Sequence, residues 1–385
     1  MRAPRSVGGD GMTNRERLAA VMDRRSPDRV PWIARLDLWY HARLAEGNMP
    51  ARFRGMSVVE VGRALRTGNP ARDGRVFTTR YEGIEIKEER VPGAIRQRFI
   101  TPVGEVTFGH ILTDKVAVTT DQGLPLEHPL QKAEDYKVLE YIAEHTRYDP
   151  CYEAYLDYER AVGDDGFPMV SCGDCPFHHF LLRLCGYNQA YFEMVDHAAE
   201  FEHLVTVMNQ VDKARLWPVV ANSPARLILH GVHFDSQMTP PHMFKKYITP
   251  YYQEFGALLH ARGKCLAWHA DDDSKDILAE VKAAGFDMSE CFCTAPMVEV
   301  TLEEARAAWG ADVIIFGGVP SIILEPGFPE VEFEAYMRTL IRVIAPGDAF
   351  ILGVADNVMP TSLIERVERI SELVETHGTY PVHPY

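Results

Sequence analysis

Short apolar runs recur through the C-terminal two thirds of the chain, and each is followed by a longer amphipathic stretch. Pro168–Cys172, Arg226–His230, Lys264–Trp268, Phe286–Glu290, Val313–Phe316 and Phe350–Gly353 have the length and β-branched bias of buried strands. Helical periodicity fills the intervals at about 188–215, 241–262, 302–309, 330–344 and 361–376. The segment Asp273–Gly285 reads as a helix closed by its glycine. Strand, crossover helix and parallel strand, repeated this often, imply a parallel sheet. With an early strand at Val30–Arg35 the count reaches seven or eight, which favours an α/β fold of the (β/α)8 TIM-type barrel kind over an open sheet.

Upstream the rhythm differs. Thr13-Asn-Arg-Glu16 is a capping box opening a helix that runs to about Asp23. Residues 75–112 alternate β-branched and polar side chains. Val91-Pro-Gly93 and Thr101-Pro-Val-Gly104 punctuate them as turns, so an antiparallel hairpin excursion is expected there. Two helical stretches follow, at about 132–145 and 150–163. Residues 1–11 lack an apolar core segment and read as a disordered tail rather than a signal peptide; residues 12–385 read as a single barrel domain.

Composition narrows the function classes. The 385 residues are 46% hydrophobic, enough for a large core, and no apolar run approaches the length of a membrane span. The net charge of −15 argues against duplex nucleic acid and anionic membranes as partners. Seven cysteines without a signal segment fit a reducing cytoplasm. Among nucleotide and serine-hydrolase signatures, GxGxxG, GxxxxGK[ST] and GxSxG are all missing.

In a barrel of this kind chemistry sits at the C-terminal ends of strands. Those ends carry Arg35 and Asp37; Cys172, Asp174 and Cys175 with His178 and His179; His230, His233 and Asp235; His269 and Asp271; Glu290 with Cys291 and Cys293; and Asp356-Asn357. Polar residues are ordinary where strands give way to loops, so most of these need no special role. His269 and Asp271 stand out, because alternation along a strand would point both the same way. An imidazole beside a carboxylate suits a metal ion or a proton-transfer pair. A lone CxxC at Cys172 and Cys175 is weak evidence for a second metal and reads as packing, and Cys151, Cys185 and Cys265 read as buried and inert. Trp39-Tyr40 and Tyr251-Tyr252 read first as helix packing, with Tyr40 kept as a candidate substrate contact beside Arg35, Asp37, Asp174 and Asn357.

The order of several motifs resembles the uroporphyrinogen decarboxylase superfamily, which includes corrinoid-dependent methyltransferases. The motifs are Asn14-Arg-Glu-Arg-Leu with Pro27-Asp-Arg-Val-Pro31, Tyr81-Glu-Gly-Ile-Glu85 with Thr101-Pro-Val-Gly-Glu105, Phe234–Pro240 with Phe244–Pro250, His260-Ala-Arg-Gly263, Leu266-Ala-Trp-His269, Phe316-Gly-Gly-Val319 and Met359-Pro-Thr361. True uroporphyrinogen decarboxylases carry Arg-Gln-Ala-Gly-Arg-Tyr after the first strand. Here that region reads Ala34-Arg-Leu-Asp-Leu-Trp-Tyr40, which speaks against the haem-pathway reaction.

The thiol-methylating branch binds zinc through His-x-Cys and a distant Cys. By the resemblance His269 matches the histidine, while Asp271 and Asp356, the latter counted back from Pro360, stand where the cysteines would be. Carboxylates leave an ion a harder Lewis acid than thiolates do, suited to oxygen ligands. The resemblance therefore implies a zinc-dependent methyltransferase acting on an oxygen-linked methyl group, an aryl methyl ether for choice. The acceptor would be a corrinoid (cobalamin), carried by a partner corrinoid protein, and the chain would be a possible homodimer. Metal ligands would be His269, Asp271 and Asp356. Glu290 would complete the coordination or act as an acid, and His233 and Asp235 would orient a phenol or relay protons. Two other readings stand beside this one: a decarboxylase or lyase on a small acid, with Arg35 or Arg80 holding its carboxylate, and a non-catalytic binding barrel.

Overall fold

The computed structural model describes residues 11–111 and 124–385. Most of the expected tail lies outside the described residues, as does the stretch 112–123 at the end of the expected excursion. In chain order the strands are β1 Trp32–Ile33, β2 Phe77–Tyr81, β3 Glu85–Val91, β4 Ala94–Thr101, β5 Gly104–Ile111, β6 Leu124–Glu127, β7 Thr146–Pro150, β8 Met169–Ser171, β9 Leu227–Val232, β10 Cys265–His269, β11 Met288–Phe292, β12 Ile314–Val319 and β13 Phe350–Val354.

Seven of them form one parallel sheet in the order β1-β13-β12-β11-β10-β9-β8, with helices in the crossovers. The six apolar runs of the sequence are its strands β8 to β13. Between β1 and β8 lies an eighth extended segment, residues 68–74. It joins the sheet through isolated parallel bridges, Ile33 to Gly68 on one side and Gly74 to Val170 on the other. Two backbone bonds reinforce the second edge, Met169 N to Ala71 O at 2.8 Å and Gly74 N to Met169 O at 3.1 Å. The approach is close enough to demand glycine: a Cβ on Gly74 would sit 2.5 Å from the Met169 carbonyl oxygen. This stave completes the TIM-type barrel.

Alternation along the strands separates two cores. Inward-facing Leu227, Leu229, Cys265, Ala267, Met288, Ile314 and Ile351 pack with Leu18, Val21 and Met22 of the first helix, Asn14–Met22, which plugs one end of the barrel. Outward-facing Leu266, Trp268, Phe292 and Ile315 pack under the helical ring. Continuing the inward row along β10 and β11 leads to His269 and Glu290, above an apolar floor.

The antiparallel excursion is there but arranged differently from a simple hairpin. β3-β4-β5-β6 is a meander whose first two connections are the Pro92-Gly93 and Pro102-Val103 turns; β2 pairs instead with β7. β7 lies between the two expected helices, now Asp135–His145 and Tyr152–Val162. The expected capping box forms at Thr13 and Glu16, and Gly285 closes its helix with a left-handed φ of +87°. No described helix is long and apolar enough to cross a membrane.

Candidate active site

His269 ends β10, and the sheet register places it directly opposite Glu290 of β11. Its Nδ1–H donates to Glu290 Oε2 at 2.6 Å. A carboxylate can only accept, so this bond fixes the proton on Nδ1 and turns Nε2 toward the mouth of the barrel. There Nε2 lies 3.3 Å from Asp271 Oδ2 and 3.9 Å from Asp356 Oδ1. β10 stops at His269, so Asp271 comes back to the ring by the turn of the following loop rather than by strand alternation.

Arg72, from the eighth stave, lies on the far side of Glu290. Its guanidinium pairs with Glu290 Oε1 and also approaches Cys291 Sγ at 3.6 Å. Around the mouth, Arg35 Nη1 donates to Asp356 Oδ1 at 3.1 Å, and His233 Nδ1–H donates to Asp271 Oδ1 at 2.6 Å. His269 and Glu290 are buried, whereas the side chains of His233 and Asp356 are 38% and 40% exposed, so the cluster opens to solvent on their side.

Backbone conformation helps to build this cluster. Seven described non-glycine residues have a left-handed φ, and three of them are His233, Cys291 and Asp356; a fourth, Ala71, precedes Arg72. Such residues are uncommon and costly, and they concentrate where side chains must be aimed against local preference. The register between β11 and β12 shifts between Glu290 and Phe292, leaving Cys291 as the extra residue. This bulge lets Glu290 and Cys291, neighbours in sequence, both reach the Arg72 guanidinium.

The electrostatics follow from the packing. Burial pushes the Glu290 carboxyl up, but Arg72 and His269 outweigh it and hold the group well below the usual carboxylate range. Asp271 is likewise pushed up by burial and pulled further down by His269 and His233. Burial opposes charge on His269, yet Asp271, Cys291 and Glu290 together raise its pKa well above the ordinary value. The space at Nε2 thus favours a positive charge, a proton or a metal ion.

Two overlapping sets could hold such an ion: His233, His269 and Asp271, and His269, Cys291 and Asp356. In each, the ligand atoms lie within 4.8 Å of one another. Neighbouring ligand atoms of a tetrahedral zinc are about 3.4 Å apart, given bonds of about 2.1 Å, so the separations of Asp271 and Asp356 from Nε2 fit a divalent cation.

The remaining candidates are spread more widely. Asp235 accepts from the backbone N–H groups of Gln237 and Met238 at 2.8 and 3.0 Å, which occupies it with its own turn. Asp37 stands in the first turn of the helix Asp37–Ala45, lining a cleft with Arg63 and Asp165 rather than joining the cluster. Tyr40 donates its hydroxyl to the Met56 carbonyl at 2.7 Å. Asn357 is buried beside Asp356, with its Oδ1 unpartnered. Asp174 accepts from His178 Nδ1–H at 2.5 Å. All seven cysteines are free thiols; Cys151 is half-buried, because it sits between β7 and the next helix rather than in the core.

Sequence reasoning missed Arg72 altogether. Its segment, Thr67-Gly-Asn-Pro-Ala-Arg-Asp-Gly74, has the composition of a loop. The one available signal was the strand count, which left an eighth stave to be found.

The chain matches the sequence model of the family described as Uroporphyrinogen decarboxylase (URO-D) over residues 106–377, well over half its length. It belongs to that family. A methyltransferase from Methanosarcina mazei shares the fold, with a TM-score of 0.55 and 12% identity over 95% of this chain and 99% of that one. An octameric ribulose-1,5-bisphosphate carboxylase/oxygenase from Pyrococcus horikoshii aligns over 62% of this chain and 46% of that one, with a TM-score of 0.30 and 10% identity. Comparison with curated proteins finds no match.

Proposed function

We propose that this chain is a metal-dependent methyltransferase that moves a methyl group from an oxygen-linked donor, an aryl methyl ether, to a corrinoid carried by a partner protein. The observation behind this reading is the setting of His269: Glu290 takes Nδ1, and Nε2 faces two carboxylates at ligand spacing. His269, Asp271 and Asp356 would hold zinc; Asp271 groups with His269 and His233, and Asp356 with His269 and Cys291, so His269 is the ligand common to both sets. When bound, the ion supplies Lewis acidity toward the ether oxygen.

The protein's own groups prepare that site. Glu290 orients the His269 ring, and Arg72 keeps Glu290 ionised and in place. Held so far below its ordinary range, Glu290 is a positioning carboxylate rather than a proton donor at neutral pH. Arg35 steadies Asp356, and His233 steadies Asp271, at the open side of the cluster.

A decarboxylase reading draws on Arg35 and Arg72, two guanidinium groups bordering one cluster. Both are already paired with carboxylates of the protein, which favours the methyltransferase reading. Elemental analysis and methyl transfer from aryl methyl ethers to cob(I)alamin form the test. About one zinc per chain, lost in His269→Ala, together with formation of the methyl–cobalt absorbance, is the expected result. Metal-free protein with full transfer activity overturns it.

A further inference from the structure

The two groups of candidate ligands around His269 are not equivalent. In one, His233 Nδ1–H donates to Asp271 Oδ1 at 2.6 Å, so a proton lies between that nitrogen and the carboxylate. Two atoms bound to one zinc keep about 3.4 Å between them, and this nitrogen therefore serves Asp271 rather than an ion. In the other group, the atoms that gather with the Asp356 carboxylate are an imidazole nitrogen of His269 and the sulfur of Cys291, all within 4.8 Å of one another. A tetrahedral zinc with a bond of about 2.3 Å to sulfur and others of about 2.1 Å sets the sulfur about 3.6 Å from its neighbours, a short inward movement away.

Cys291 reaches this place against the grain of its strand. Glu290 turns inward to His269, while Phe292 packs outward against Trp309 at 5.4 Å between ring centroids. A regular strand would put residues 290 and 292 on one face and residue 291 on the other. The bulge at this point and the φ of +58° at Cys291 bring its sulfur round to the cluster. Asp356 has the same φ of +58°, and its backbone carbonyl lies 3.7 Å from Cys291 Sγ. The thiol is buried, with Glu290 Oε1 at 3.1 Å and Arg72 Nη1 at 3.6 Å as its other polar neighbours. A cysteine that merely fills the core has no need of such company. Among the described residues, Cys291 alone of the seven cysteines belongs to a group of possible metal ligands.

We infer that Cys291 is a thiolate ligand of the ion bound at His269, alongside Asp356. The inference rests on the metal site of the proposed reading and changes its character. One soft sulfur donor stands beside hard carboxylate oxygen, which makes the ion a milder Lewis acid than nitrogen and oxygen ligands alone would. The S–H proton, directed at Glu290 Oε1, leaves to solvent as the sulfur–metal bond forms, and the Arg72 guanidinium offsets the charge on sulfur.

Cobalt(II), loaded into the full chain in place of zinc, reports the sulfur without any turnover. The wild-type protein should show an intense near-ultraviolet thiolate-to-cobalt band, and X-ray absorption of the zinc-loaded protein should find a sulfur neighbour at about 2.3 Å. Cys291→Ser should lose both signals while still binding the ion through His269 and the carboxylates. Its zinc affinity should fall by at least the roughly 10–100-fold that loss of even an outer partner costs. Cys293→Ser, two residues on, should keep both signals. A wild-type ion without a sulfur neighbour overturns the inference with no variant needed, and so does a thiolate band that survives Cys291→Ser.

The same measurements separate the inference from the reading it rests on. If the wild type binds neither zinc nor cobalt, the metal site and the inference fall together. If the sulfur signature is present but no methyl group passes from an aryl methyl ether to cob(I)alamin, the methyltransferase reading fails and Cys291 stands as a ligand.

Discussion

Two histidines on neighbouring strands, His269 of β10 and His230 of β9, are both buried and have opposite fates. His230 faces outward, under the helical ring. Its Nδ1 meets the Tyr252 hydroxyl at 3.0 Å and its Nε2 the Tyr251 hydroxyl at 3.4 Å, and both phenols are neutral. Burial pushes its pKa down to about 4, against a modest pull from Asp174. His269 faces inward, among Glu290, Asp271 and Asp356, and is raised instead. Depth is shared, so the carboxylate neighbours decide which imidazole becomes a cation site and which stays a core side chain.

Carboxylates show the same contrast. Asp212 lies under the outer network, accepting from Tyr251 at 2.9 Å with no cation against it, and burial lifts it to about 7. Glu290 is buried at least as deeply, yet Arg72 and His269 keep it ionised. A buried acid with only a neutral partner is driven toward its neutral form; one beside cations stays ionised.

The largest expected effect is on the inner histidine. His269→Ala should release all bound zinc while the chain stays folded, read by elemental analysis beside circular dichroism; retained zinc would place the ion elsewhere. Arg72→Met comes next. It leaves Glu290 buried beside a neutral side chain, which should cost about 3–5 kcal/mol in urea unfolding, and Arg72→Lys should recover part of that. A loss under 1 kcal/mol would mean that Glu290 does not depend on Arg72.

Asp212 gives a pH signature of opposite sign to that of a paired acid. Its folded pKa of about 7 exceeds the unfolded value of 3.8, so the folded state holds the proton more tightly. Its contribution is fully favourable below about pH 4 and is lost as pH rises through about 7. The shift corresponds to at most about 4 kcal/mol, at 1.36 kcal/mol per pKa unit. Asp212→Asn should therefore gain stability relative to wild type between pH 5 and pH 8, by urea titration at both values. A constant difference would show that Asp212 is ionised throughout. The smallest effect belongs to Tyr252→Phe, which removes one partner of His230. It should cost about 1–2 kcal/mol and leave zinc content unchanged. Zinc loss there would mean that the outer network supports the cluster after all.

The apolar runs announced β8 to β13 because strands of a parallel barrel are covered on both faces, which leaves a continuous signal. The helices Leu302–Trp309 and Glu330–Ile344 ended where their periodicity ended. By contrast, β7 and the stave at residues 68–74 left no such mark, being short, polar and held mainly by backbone bonds. The His178–Tyr187 contact joins a short helix to the next long one across the π-helical turn Phe180–Cys185, which sequence spacing does not measure.

What the sequence determined by itself is the set of strand ends and the chemistry at them: His269 with an acid two residues on, Glu290 at the end of its run, Asp356 at the last. The tertiary structure decided which of those ends converge. Register set His269 against Glu290, a bulge brought Cys291 alongside, left-handed backbone aimed His233 and Asp356, and an unmarked stave delivered Arg72. Hydrophobic pattern records whether a position is covered. The partner a covered polar group meets is settled only when separate strands close into one barrel.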